Sequence, residues 1–241
     1  MRSCWAVIVV LAVAALAAAP ATGPTSRPTA SDLRTWFAGL DDVDADVRAD
    51  SYSKLLGLRR ADLEGLRPIV EQARPLSPGQ SAALRDVVVH VYLTGHEYEP
   101  DAEGQGFLGV RPLHQTMDLL IGADEPDGGV AIGERLPGFC GFRALRTGDV
   151  ILGTLGARPT KLRRWPELQH YVQQSRGGTV TFEVLRQGRV MNVAIQLDTR
   201  PAAAGDPRFQ NVMEELLAER QALAEEYWLK FFAPLVEQDL S

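Results

Sequence analysis

Six residues near the middle of the chain, Gly104-Gln105-Gly106-Phe107-Leu108-Gly109, have the Gly-x-Gly-x-x-Gly spacing with which many folds cradle a dinucleotide pyrophosphate. That chemistry needs a strand before the glycines and a helix opening after them, so that the phosphates meet a helix N-terminus. Here Val110-Arg111-Pro112 follows, an extended run closed by proline, and no strand–helix–strand unit surrounds it. Nucleotide binding is therefore set aside. The same residues suit a different anion. Glycines at the entry to a strand leave successive backbone N–H groups unhindered, and a turn of that kind is an anion-binding nest. An extended peptide could end its carboxylate there and pair its backbone with the strand that follows.

The other reactive residue types do not assemble into a catalytic or metal set. Cys140 could partner His90, His96, His114 or His170, but a reactive thiol needs a nearby base or positive field, and a cysteine in a turn is a poor candidate. A lone thiol packs more often as a small hydrophobe. No Gly-x-Ser-x-Gly nucleophile element occurs. His96-Glu97-Tyr98-Glu99 lacks the second histidine of a helical zinc motif. Asp42-Val43-Asp44-Ala45-Asp46 starts like a calcium loop, yet Val47 stands where that loop needs glycine and Ser53 replaces the closing glutamate. Helix capping accounts for those aspartates. The expectation is a protein without catalytic residues, metal or cofactor.

Several elements must position the glycine turn. Residues 31–95 read as four short amphipathic helices. Ser31 is placed to cap the first, which carries Leu33, Trp36, Phe37 and Leu40. A second starts near Asp44 or Asp46 with Val47, Leu55 and Leu56, and a third runs from about Ala61 to Ala73. Ser77-Pro78-Gly79-Gln80 opens the fourth with a cap, a first-turn proline and a glutamine three residues after the cap. Leu84, Val87, Val88, Val91 and Tyr92 form its buried stripe, and Gly95 ends it. The stretch from Asp42 to Leu56 resembles HEAT-like repeats, although no clear internal repeat supports that over a plain bundle. Residues 96–105 are polar and acidic and mark a domain boundary. Beyond it the pattern changes to strands at Phe107–Arg111, Val130–Glu134, Asp149–Leu152, Thr179–Arg186 and Arg189–Leu197. Gln187-Gly188 makes a hairpin of the last pair, and a helix over Trp165–Gln174 precedes it.

The order of motifs after the boundary is specific. Phe107-Leu108-Gly109-Val110 is followed by Met117-Asp118-Leu119-Leu120-Ile121-Gly122, Gly128-Gly129-Val130-Ala131-Ile132, Leu136-Pro137-Gly138-Phe139-Cys140, Leu145-Arg146-Thr147-Gly148-Asp149-Val150-Ile151 and Gly177-Gly178-Thr179-Val180. In this order they resemble the PDZ family, most closely the HtrA-type bacterial PDZ domain, here without a protease domain before it. Ala144 and Thr147 depart from the family's frequent glycine and proline, and Phe139-Cys140-Gly141-Phe142 is bulkier than its usual small-residue turn. The resemblance implies a groove between the strand starting near Gly109 and the helix Trp165–Gln174. Phe107, Leu108, Gly109 and Val110 would form the carboxylate-binding loop. Trp165, Leu168 and Val172 would line the side-chain pocket, or Leu168 and Val172 would serve core packing alone.

The fold class expected is α+β: a small all-helical N-terminal domain (31–95), a PDZ β-sandwich or barrel with a groove helix (104–198) and a long C-terminal helix (206–237). The apolar face of that last helix, with Tyr227, Trp228, Phe231 and Phe232, either docks within the chain or offers a surface for a partner or for self-association. At the N-terminus, Arg2, the apolar run Ala6–Ala19 and the small residues around Ala19 read as a secretory signal over 1–21, with a proline-rich linker over 22–30. Cleavage would leave Cys140 as the one cysteine, and without cleavage the segment would tether the protein. A net charge of −6 and only short basic runs such as Arg163-Arg164 speak against nucleic acid. The function expected is an exported peptide-binding adaptor or scaffold that captures protein C-termini. The alternatives are a non-catalytic accessory subunit of an envelope protease, or an assembly protein whose groove is vestigial.

Overall fold

The computed structural model describes residues 27–95, 97–113, 128–156, 158–204 and 210–236. The expected secretory segment, the insert Met117–Gly122, His96 and His114 lie outside the described residues. Helices α1 (Ala30–Gly39), α2 (Ala45–Leu56), α3 (Leu63–Gln72) and α4 (Pro78–Thr94) open the fold. Asp44 caps α2 by accepting from Asp46 N, and Ser77 caps α4 by accepting from Gln80 N. Thr29, not Ser31, caps α1. Its hydroxyl accepts from Asp32 N at 3.2 Å while the Asp32 carboxylate accepts from Thr29 N at 2.9 Å, a reciprocal pair Ser31 cannot form because Arg34 stands three residues later. The end of the expected linker is thus part of the fold, and Arg27 also reaches the buried Asp62 at 3.1 Å.

Apolar stripes from α1 to α4 meet in one core that contains Leu33, Phe37, Leu55, Leu66, Val70 and Val88. The last long helix, over Gln210–Phe231, lays Ala224 and Trp228 into that same core, and Phe232 just beyond it joins them.

After α4 come β1 (Gly106–Phe107), β2 (Val110–Pro112), β3 (Val130–Arg135), α5 (Cys140–Ala144), β4 (Val150–Leu155), β5 (Thr160–Lys161), α6 (Trp165–Gln174), β6 (Thr179–Arg186), β7 (Arg189–Gln196) and β8 (Asp198–Thr199). The main sheet is antiparallel with the order β2-β3-β4-β6-β7, and β5 adds to β4. Val130, Ile132, Ile151, Val180, Phe182, Val184 and Ile195 form its core with Leu168 and Val172 of α6. Gln187 and Gly188 both take positive φ, 49° and 77°, and close the β6–β7 hairpin with the twist that favours such turns. The expected single strand Phe107–Arg111 is split. Gly109, at φ 66°, turns the chain between β1, which pairs with β8, and β2, which pairs with β3.

Two joints differ from expectation. Within the polar segment, residues 98–101 are zipped to the end of β8 and the stretch that follows it. Asp101 N donates to Arg200 O (2.7 Å), Ala202 N to Glu99 O (2.9 Å), and Tyr98 Oη to Thr199 O (2.7 Å). Its acidic composition describes its exposed side chains, while its backbone is spent on a ribbon. The C-terminal helix, α7 (Gln210–Phe231), ends before a short α8 (Ala233–Val236). Pro234 lacks the N–H that a continuous helix would use. Arg74 donates to the carbonyls of Pro234 and Leu235 and ties this end to α3.

Candidate functional site

The feature with the clearest capacity for recognition is the outer edge of β2. The strand stands at one end of the sheet order, so β3 uses only one of its two edges. In an antiparallel ladder, alternate residues turn their polar groups toward the neighbour and away from it. Gly109 O accepts from Leu136 N at 2.8 Å on the β3 side, which turns the N–H of Val110 to the open edge. Just before β2, the N–H groups of Leu108 and Gly109 donate to no backbone acceptor among the described residues. Three consecutive amides, Leu108 to Val110, thus stand at the mouth of a strand edge that no other described residue pairs, the combination that strand addition with carboxylate capture requires.

The loop is held from behind. A Cβ at Gly109 would lie 2.2 Å from Phe139 Cβ, so only glycine admits the Phe139 ring this close. Phe139, itself 1% exposed, packs edge-on against Phe107 with centroids 4.9 Å apart. Gly141 N donates to Leu108 O at 2.9 Å, and the Cys140 thiol donates to Phe107 O at 3.4 Å. Asp198 accepts from Cys140 N at 2.6 Å, and burial raises the Asp198 carboxyl above its usual range. The Phe107 and Leu108 carbonyls thus face Cys140 and Gly141, and across each trans peptide the following N–H groups, of Leu108 and Gly109, point the other way. Phe139, Cys140 and Asp198 were not among the residues expected at the site. The bulk of Phe139-Cys140-Gly141-Phe142 is the sequence signal for the first two, and Asp198 has none.

On the other side stands α6. Its C-terminal carbonyl, Val172 O, sits where a Cβ on Gly106 would lie at 2.3 Å, so the helix is fastened to β1. Leu108, Val110, Leu168 and Val172 are all buried in the shared core, with Leu168 at 1% exposed, and half-buried Trp165 packs at the start of the helix. The structure places Leu108 and Val110 in one buried core with Leu168 and Val172, the packing role open to the two helix residues, while Phe107 packs on Phe139 and α6 meets the sheet at β1.

The thiol and the described histidines, His90 and His170, do not form a couple. Burial pushes the Cys140 thiol up, and its sulfur is engaged with the Phe107 and Leu108 carbonyls. His90 is buried in the helical layer, where its Nδ1 accepts from Gly138 N at 3.1 Å and its ring stacks on Phe142 at 4.9 Å; burial draws its pKa down to about 3. His170 lies on the exposed side of α6 beside Gln174. Asp42 and Asp44 accept from the N–H groups of Asp44 and Asp46, the capping use of these carboxylates.

No family model matches the sequence, and no curated protein matches it. Among solved structures, an HtrA-type protease, AlgW with a tripeptide, is similar over 42% of this chain and 34% of its own, at 24% identity and a TM-score of 0.34. This chain therefore spans about a third of that protease's length. The HtrA3 PDZ domain bound to a phage-derived ligand (FGRWV) is similar over 39% of this chain and 86% of its own, at 23% identity and a TM-score of 0.29.

Proposed function

We propose that the protein is a PDZ-like module that captures extended peptides by adding them as a strand to the open edge of β2, with the terminal carboxylate held by the N–H groups of Leu108, Gly109 and Val110. The observation that carries this reading is the coincidence, among the described residues, of a strand edge without a pairing strand and three amides at its start that donate to no described backbone acceptor. The ligand's backbone supplies the pairing, and its last side chain enters the seam between β2 and α6 by parting Leu108 and Val110 from Leu168 and Val172. Selectivity then favours an apolar C-terminal residue, because every group it displaces is apolar. The protein acts by binding, as an exported adaptor or scaffold.

Fluorescence anisotropy of the purified chain against a C-terminal peptide library tests this. Each binding peptide is measured again with its carboxylate amidated. Loss of affinity on amidation supports capture of the terminus. Equal affinity overturns it in favour of internal strands, and failure of every peptide to bind removes the reading. Co-purification of an active protease would mark the role as that of an accessory subunit.

A further inference from the structure

One buried cation joins the C-terminal helix to the turn that braces the loop. Arg220 lies in the middle of α7 and is 2% exposed, the largest fully buried side chain among the described residues. Its Nη2 donates to Leu93 O at the end of α4 (2.9 Å). Its guanidinium stands over the rings of Tyr98 (5.2 Å) and Phe139 (5.3 Å), where ring faces attract a cation. A Cβ at Gly138 would lie 2.8 Å from Arg220 Nη2 and 2.6 Å from Leu93 Cβ, and φ there is +83°. The turn is thus pressed between helix and loop with no room for a side chain. Phe139 then touches both Gly109 and Phe107, as described above.

We infer that Arg220 is a positioning residue for the peptide site: through Phe139 it sets the geometry of the Phe107–Val110 loop, so that docking of α7 on the helical layer and capture of a peptide carboxylate are coupled. This inference rests on the proposed reading of that loop. A hydrophobic residue could fill the same space, but a buried arginine that donates to the Leu93 carbonyl and stands over the rings of Tyr98 and Phe139 fixes direction as well as volume. Coupling of this kind is reciprocal, so a bound carboxylate should in turn tighten α7.

The test compares the full chain with Arg220→Met and with Arg85→Ala, which removes the exposed α4–α7 ion pair to Glu225 and leaves Arg220 in place. Two readouts are taken. The first is the affinity ratio of a carboxylate peptide to its amidated twin. The second, which needs no ligand, is amide hydrogen exchange of residues 106–113. Expected for Arg220→Met are a ratio lowered about tenfold, the scale of one well-placed hydrogen bond, and faster exchange across the loop. Arg85→Ala should leave both at wild-type values. An Arg220→Met protein with a wild-type ratio or wild-type loop exchange overturns the inference, as does an Arg85→Ala protein that shows the same losses. If the wild-type chain binds no peptide, the reading of the loop fails on its own, and loop exchange still decides whether Arg220 positions it.

Discussion

Replacing Gly109 by alanine should damage the protein by two separable routes. At φ +66° the residue sits in the left-handed region, which costs an L-residue roughly 1–2 kcal/mol. The new methyl would also lie 2.2 Å from Phe139 Cβ, and Phe139 is buried beneath the turn with nowhere simple to go. Overpacking of that kind costs about 1–3 kcal/mol, for a total of about 2–5 kcal/mol. Gly148 provides the comparison. Its φ is +86°, but nothing lies within 4 Å of an added Cβ, so Gly148→Ala should show the backbone cost alone. Urea unfolding of both variants, followed by fluorescence, gives the two values at constant slope. The reasoning fails if Gly109→Ala is no more destabilising than Gly148→Ala, because Phe139 would then not be braced against the loop. Anisotropy on the same samples should show that Gly109→Ala also loses carboxylate selectivity, since the displaced ring carries the loop with it.

Three further outcomes follow from buried polar groups. Asp149, 1% exposed, accepts from Arg186 at 2.8 and 2.6 Å and from Arg146 N at 2.7 Å. Asp149→Ala should cost about 3–5 kcal/mol by stranding Arg186, and the double variant with Arg186→Met should recover part of that loss in urea melts. His90 has a folded pKa of about 3 against an ordinary 6.5, so between those values the unfolded chain binds the extra proton. Its contribution is complete above pH 6.5 and is lost as pH falls toward 3, by up to about 1.4 kcal/mol per unit. Thermal midpoints from pH 7 to 4 should therefore fall more steeply for wild type than for His90→Gln, and parallel curves would contradict the burial of a neutral ring. The Cys140 thiol, buried and held to two carbonyls, should resist a disulfide reagent at pH 8 in the native protein and react in denaturing urea. Labelling of the native protein at the free-thiol rate would show that the 138–141 turn opens.

Local order was legible along much of the chain because caps and turns are local chemistry. Ser77-Pro78-Gly79-Gln80 opens α4, Gln187-Gly188 closes the β6–β7 hairpin, and α6 runs over Trp165–Gln174, all from contacts within a few residues. The glycines around Phe107 and Leu108 likewise mark a turn, which Gly109 makes at φ 66°. The capping pair Thr29 and Asp32 obeys the same local rule, but Thr29 lies in a stretch whose prolines read as linker. Tertiary structure decided the rest. An amphipathic helix announces that one face must be buried, but not against what, and only the fold sets Trp228 of α7 and Phe232 just beyond it into the helical core. That β2 stands at the end of the sheet among the described residues follows from strand order, which no strand encodes alone. Arg220 reads in sequence as one more surface cation of a charged helix. It is the packing of Leu93, Tyr98 and Phe139, brought together from distant parts of the chain, that buries it and places it behind the loop.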